Sequence, residues 1–153
     1  MADYNKLLSR AAKLCSTSEK CSHDVLEKLR NWGLEEEEAL KAIKYLEDNK
    51  FLNDNRYARF FVRDKLRFNK WGRIKISYAL RNKKVPSEII EAALDTIDNE
   101  EYESALEQLL EAKIRSVGNI KEARGKAKIL RFAAQRGFTS EETFRALGRL
   151  KID

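Results

Sequence analysis

The chain repeats itself at a nearly fixed interval. Residues 29–34 (Leu-Arg-Asn-Trp-Gly-Leu) align with residues 80–85, 51 positions later, and residues 133–138 align after a further 53. Apolar positions recur in the same register, in the sets Ala42/Ala93/Ala146, Ile43/Leu94/Leu147 and Leu46/Ile97/Leu150. Recurrence of this kind is typical of stacked supersecondary units that bury their apolar faces against one another. It predicts three repeats, over residues 1–50, 51–98 and 99–153.

Each repeat reads as three helices, because its apolar residues follow helical spacing and no alternating pattern long enough for a sheet appears. The predicted helices are Asp3–Cys15, Ser22–Trp32 and Glu35–Asp48; Asp54–Phe68, Arg73–Lys83 and Ser87–Asp98; and Glu100–Arg115, Lys121–Arg136 and Ser140–Leu150. The sequence therefore predicts an all-α fold of three tandem three-helix repeats, similar to helix-turn-helix units, that form an elongated, curved rod.

Local signals place the helix ends. Gly33 suits a left-handed turn after a helix, and Asn53 and Asn99 are predicted N-caps. Thr139 followed by Glu142 is a capping box. Residues 115–121 are predicted to form a longer loop.

Charge is distributed in blocks along a chain whose formal net charge is +6. Residues 1–50 carry −1, whereas residues 51–90 hold 11 basic and 3 acidic side chains. Residues 91–112 then hold eight acids and no base, and residues 113–136 hold eight bases and one acid. Blocks of this kind favour an anionic or charge-striped partner.

The first basic stripe lies on the first helix of the second repeat. Its members follow spacings of three and four residues and fall within about 80° of one another around the helix; they are Arg56, Arg59, Arg63, Arg67 and Lys70. Phe68 is predicted on the opposite, apolar side, and Phe60 borders the stripe. Like charges four residues apart repel, so a stripe without acids favours binding over a merely solvated face.

The second basic stripe repeats the arrangement in the third repeat, again within about 80°. Its members are Lys121, Arg124, Lys128 and Arg131. Arginine suits two-pronged contact with phosphate or carboxylate. The acids at 91–111 could instead pair with these bases inside the molecule.

Catalytic and metal-binding patterns are missing from the sequence. It has one His, no phosphate-binding glycine loop and no nucleophile elbow. Cys15, Cys21 and His23 supply at most three metal ligands, which predicts reduced thiols and no metal. No apolar run is long enough for a membrane span. We therefore expect a cytoplasmic monomer that is not an enzyme, has no cofactor and does not bind membranes.

Two stretches stand out as motifs. The first runs from Phe51-Leu52-Asn53-Asp54 through Arg56-Tyr57-Ala58 to Lys70-Trp71-Gly72-Arg73-Ile74-Lys75; the second is Arg136-Gly137-Phe138. Together they resemble the RecX family of bacterial proteins that regulate the recombinase RecA. Asn53 stands where the family usually has Asp, and Lys84 stands where it has a turn glycine, so a strained turn is expected there.

The resemblance implies binding in the groove of the RecA–DNA filament, with inhibition of ATP hydrolysis and strand exchange. Arg73 and Lys75 join the two stripes as candidate contacts. The alternative is a stand-alone helical protein that binds single- or double-stranded DNA through helix-turn-helix-like pairs. A passive scaffold, which would affect neither DNA nor recombinase, is a third reading.

Overall fold

The structure is a computed structural model, and it describes residues 3–118 and 123–150. Within these residues the chain is all-helical, as predicted. The α-helices are α1 (Tyr4–Thr17), α2 (Ser22–Asn31), α3 (Glu36–Asp48), α4 (Asp54–Asp64), α5 (Arg73–Asn82), α6 (Ser87–Leu94), α7 (Asn99–Val117), α8 (Ala123–Gln135) and α9 (Ser140–Arg149). A π-helix, Lys65–Asn69, continues directly from α4.

The chain divides into two compact units. The first comprises Met1–Phe60 and Leu80–Ala93, and the second comprises Phe61–Ala79 and Leu94–Asp153. In the first unit Val25, Leu29 and Leu46 belong to the buried core. In the second unit Leu110, Ile129 and Phe138 do so. Residues 51–98 contribute to both units, and the division into three repeats remains a prediction from sequence recurrence.

A turn of the same kind follows α2, α5 and α8. The N–H of Leu34 donates to the carbonyl of Leu29 at 3.1 Å, and the equivalent bonds are Val85 to Leu80 (3.2 Å) and Phe138 to Ala133 (3.1 Å). The residue before each donor has a positive φ: 108° at Gly33, 62° at Lys84 and 96° at Gly137. These are Schellman turns, which satisfy the last carbonyls of a helix. The predicted strained turn at Lys84 is therefore present.

Two other capping predictions are confirmed and one is wrong. The side chain of Asn53 accepts from the N–H of Arg56 at 3.0 Å, and the Thr139–Glu142 capping box is complete. Asn99, however, is the first residue of α7 and does not cap it, since Asp98 precedes it as N-cap. The side chain of Asn99 accepts instead from Arg73, at 3.2 Å.

Some helix ends also differ from prediction. α7 continues to Val117, so the predicted loop at 115–121 starts later, at Gly118 with φ 90°. α6 ends at Leu94, four residues before the predicted Asp98. Periodicity places a helix well but its ends poorly, because the last turn is decided by local capping.

The π-helix changes the direction of one aromatic side chain. Leu66 is buried, but Phe68 is 80% exposed, which contradicts its predicted place on the apolar side. A π-helix closes its hydrogen bonds over five residues instead of four, so each residue turns the chain by less than in an α-helix. Residues beyond the widened turn therefore lose the α-helical register on which the prediction depended.

Candidate partner-binding surfaces

Two residues of the first basic stripe, Arg56 and Arg59, lie in the first unit and have different surroundings. The Nε of Arg56 contacts the Oε2 of Glu19 at 2.5 Å, and its Nη2 reaches the carbonyl of Lys50 at 3.3 Å. This arginine therefore ties the start of α4 to the segment that follows α1 and to the turn before α4. Arg59 is exposed and makes no ion pair within residues 3–118 and 123–150. Of these two arginines, only Arg59 is open to a partner without first giving up a contact with a described residue.

In the second unit Arg63 is exposed and Arg67 is paired. The Nε of Arg67 donates to the Oε1 of Glu101 at 2.7 Å, and this hydrogen bond raises the pKa of Arg67. Arg67 remains 53% exposed, so the pair lies in water. Arg63 has no ion pair among the described residues. One cation of the first basic stripe is thus paired with an acid of the run at 91–111, as the alternative interpretation of the sequence anticipated.

Lys70 ends the π-helix in a left-handed conformation, with φ 52°. With Leu66, Arg67, Glu101 and Gln108 it lines a shallow cavity of about 220 Å³. Lys70 is half-buried and forms no ion pair in the part of the chain that the structure describes. Its position depends on the turn rather than on the regular helix from which the stripe was predicted.

The glycine between Lys70 and α5 makes a close backbone contact. The N–H of Gly72 donates to the carbonyl of Arg136 at 2.6 Å, and the N–H of Ile74 donates to the carbonyl of Gly137 at 3.2 Å. A Cβ on Gly72 would lie 2.3 Å from the carbonyl oxygen of Gly137. The two stretches that carry the family resemblance therefore meet, and their glycines allow one main chain to approach the other.

Arg73 is a structural residue in this arrangement. Its guanidinium carbon lies 4.0 Å from the centre of the Tyr102 ring, and its Nη1 lies 3.6 Å from Glu142. Its backbone N–H donates to the hydroxyl of Tyr102 at 3.0 Å. Burial raises the pKa of Tyr102 to about 12, so the hydroxyl stays protonated at neutral pH. The expected partner contact at Arg73 would require breaking this network.

Lys75 lies against an aromatic side chain. Its Nζ is 4.6 Å from the centre of the Trp71 ring, and Lys65 approaches the same ring at 5.2 Å. The Nζ of Lys75 also donates to the carbonyl of Gln135 at 3.4 Å. Cation–π contacts of this kind hold a lysine loosely at an exposed site, at about 0.5–1 kcal/mol.

The second basic stripe lies on α8, except for Lys121, which falls outside the described residues. Arg124, Lys128 and Arg131 are exposed, whereas Gly125, Ile129 and Ala133 are buried. The three cations therefore lie on the solvent side of the helix. None of them forms an ion pair within residues 3–118 and 123–150.

The structure thus separates the predicted residues by their surroundings. Three arginines are held by the chain's own acids: Arg56, Arg67 and Arg73. Five cations are exposed without such a partner in the described part of the chain: Arg59, Arg63, Arg124, Lys128 and Arg131. Sequence reasoning missed the exposure of Phe68, because a π-helix leaves no periodic signal.

The cysteines are buried or partly buried thiols. Cys21 is fully buried, and burial raises its pKa from 9.0 to about 11, while Cys15 is half-buried with a raised pKa. No cluster of three or more His, Cys, Asp or Glu side chains suited to a metal occurs among the described residues. No helix in residues 3–118 and 123–150 is both long and apolar enough to span a membrane.

Comparison with known proteins matches two stretches of the chain to the domains of one family. Residues 53–94 match the second three-helix domain of RecX, and residues 100–147 match the third. "Regulatory protein RecX" of Lactobacillus johnsonii is 32% identical over 146 residues, covering 95% of this chain and 52% of that protein. The protein of the same name from Acinetobacter baylyi is 30% identical over 148 residues, covering 95% of this chain and 89% of that protein.

The Clostridium tetani regulatory protein RecX is 28% identical over 97% of this chain, which spans 68% of that relative. The chain thus spans between about half and nine tenths of these relatives. The fold is similar to the crystal structure of RecX from Lactobacillus salivarius, with a TM-score of 0.85 at 23% identity over 97% of this chain and 96% of that one. On the strength of the domain matches and the relatives, the chain belongs to the RecX family.

Proposed function

We propose that this chain is a cytoplasmic, non-enzymatic regulator of homologous recombination and DNA repair that binds in the groove of the RecA–DNA filament and inhibits its ATPase and strand exchange. Family membership supports a regulatory role, since the relatives are named regulatory proteins, and the resemblance to the RecX family implies RecA as the target. The observation that carries the proposal is the set of five exposed cations without acidic partners in the described residues: Arg59, Arg63, Arg124, Lys128 and Arg131.

The proposed contacts are charge-assisted hydrogen bonds to carboxylates or phosphates of the filament. A guanidinium group donates two parallel hydrogen bonds to such an anion, and these are roughly twice as strong as hydrogen bonds between neutral groups. A filament repeats its surface, so weak contacts at several cations add through a high effective concentration. No covalent step is involved, because inhibition follows from occupying the groove.

Arg67 adds a contact that competes with an internal one. Exposed ion pairs contribute only about 0.2–1 kcal/mol, so exchanging Glu101 for a filament anion costs little. Arg56 and Arg73 are less suited to exchange, since each has further contacts with the chain's own carbonyl or aromatic groups. We therefore assign them a positioning role.

The test is the single-stranded-DNA-dependent ATPase of the host recombinase. The variant Arg59→Glu/Arg63→Glu is expected to lose inhibition while its helicity and melting temperature stay unchanged, because neither side chain has an internal ion-pair partner in the described residues. The matched control is Lys41→Glu/Lys44→Glu, which changes the net charge equally on α3 and should inhibit like the wild type. Full inhibition by the first variant would remove the first basic stripe from the mechanism.

Binding of bare DNA is the second candidate function. The exposed aromatic Phe68 follows Arg67 in a segment of net charge +8, and exposed rings beside cations are typical of single-strand binding. Tight, strongly salt-dependent binding to DNA without recombinase would favour this candidate. Binding that requires recombinase would favour the filament.

A further inference from the structure

A groove between α1 and α2 in the first unit combines an aromatic floor with cations. It has a volume of about 330 Å³ and is lined by Arg10, Lys13, Leu14, Thr17, Lys28 and Trp32. The α1 residues follow spacings of three, one and three, so they share one side of that helix. None of the described residues that line the groove is acidic.

The aromatic floor forms a cation–π pair. The guanidinium carbon of Arg10 lies 4.0 Å from the centre of the Trp32 ring, and Arg10 has no ion pair within residues 3–118 and 123–150. Arg10 is exposed, so part of its guanidinium group is open to a ligand. Unstacked bases of single-stranded nucleic acids stack on such guanidinium planes and on aromatic rings.

The acids nearest to Lys28 on α2 are already engaged. Asp24, one turn earlier, accepts from Lys83 at 2.8 Å. Glu27 is paired with Arg30 at 2.5 Å. Lys13 and Lys28 therefore keep their charge available at the rim of the groove.

We propose that this groove is a binding site for one unstacked nucleotide of single-stranded nucleic acid. The base stacks on Arg10 and Trp32, and the flanking phosphates contact Lys13 and Lys28. The volume is that of a small-ligand pocket, about 300–1,000 Å³. The site lies in the first unit, outside both basic stripes, and does not rest on the proposed binding to the filament.

The two tryptophans allow a local test. In Trp71→Phe the only tryptophan left is Trp32, so its emission reports on the groove. Titration with an oligothymidylate of about 12 nucleotides is expected to quench this emission, and a duplex of equal length is expected to leave it unchanged. Anisotropy of a labelled oligonucleotide on the otherwise unmodified chain measures the same affinity without the tryptophan substitution.

Reversing the charge of the two groove lysines provides a second test. Lys13→Glu/Lys28→Glu is expected to weaken binding by on the order of tenfold and to reduce the slope of log K against log salt by about 1.4, which is two single-strand phosphate contacts. Lys41→Glu/Lys44→Glu is the matched control and should bind like the unmodified chain.

The proposal fails under any of four results. These are the absence of oligonucleotide binding, binding that leaves Trp32 emission unchanged, equal quenching by the duplex, and equal affinity of Lys13→Glu/Lys28→Glu and its control. A poly-glutamate peptide that quenches and competes as well as the oligonucleotide would assign the groove to an acidic peptide instead.

Discussion

Replacing Gly72 by alanine should damage the second unit, and the structure gives the size of the effect. The new Cβ would lie 2.3 Å from the carbonyl oxygen of Gly137 and 2.7 Å from the N–H nitrogen of Phe138. Both atoms belong to backbone, so neither can move aside as a flexible side chain would. The start of α5 must therefore separate from the turn after α8.

The separation removes two hydrogen bonds, from Gly72 to Arg136 and from Ile74 to Gly137. Each contributes about 0.5–1.5 kcal/mol net, and overpacking costs about 1–3 kcal/mol more. We expect the free energy of unfolding to fall by about 2–6 kcal/mol, a large part of the 5–15 kcal/mol that is usual for a domain.

The matched control is Gly148→Ala. Gly148 lies inside α9, and nothing stands within 4 Å of a Cβ added there. Alanine is favoured over glycine in a helix by about 1 kcal/mol, so this variant should be slightly more stable than the wild type.

The assay is equilibrium unfolding in urea, followed by helical circular dichroism and by Trp71 fluorescence in a Trp32→Phe background. Trp71 neighbours the substituted residue and lies in the second unit, so its signal reports the local transition. A Gly72→Ala midpoint equal to that of the wild type would refute the account of the close backbone contact.

Three further predictions concern single side chains. Lys84→Gly should raise the free energy of unfolding by about 0.5–1 kcal/mol, because a left-handed residue with a Cβ is strained, whereas Lys84→Ala should bring no gain; equal urea midpoints for the two variants would contradict this. Burial raises the pKa of Cys21 from 9.0 to about 11, so the stability it contributes is complete below pH 9 and is lost as pH rises through 11. Between pH 9 and pH 11 the free energy of unfolding of the wild type should fall by about 2–3 kcal/mol more than that of Cys21→Ala, as measured by urea unfolding at several pH values. Parallel curves of unfolding free energy against pH for the two proteins would exclude this role of the thiol. Thr139→Ala removes one half of the capping box with Glu142 and should lower the melting temperature by the equivalent of about 1 kcal/mol; an unchanged temperature would show that the cap is dispensable.

The sequence predicted the helices and their turns because these depend on local signals. Periodic Ala42, Ile43 and Leu46 mark a buried side of α3, and Gly33 marks the turn before it. The position of Phe68 was not predictable in this way, since the π-helix that exposes it follows from how the chain passes from α4 into the turn at Lys70.

The candidate surfaces were predictable only in part. Spacing placed Arg63 and Arg131 on the solvent sides of their helices. It could not show that Arg67 meets Glu101, 34 residues away, or that Arg73 lies over Tyr102. Nor could it find the groove at Arg10 and Trp32, since its residues come from two helices of a segment whose net charge is −1.

All three left-handed residues other than glycine among those described are lysines: Lys50, Lys70 and Lys84. A cation at the carboxyl end of a helix is attracted by the macrodipole, by about 0.3–1 kcal/mol at low ionic strength. This attraction offsets part of the strain, and dissolved ions screen it. The stability gained by Lys84→Gly should therefore increase as salt is added. At these helix ends, the benefit of a lysine depends on the ionic strength of the solution.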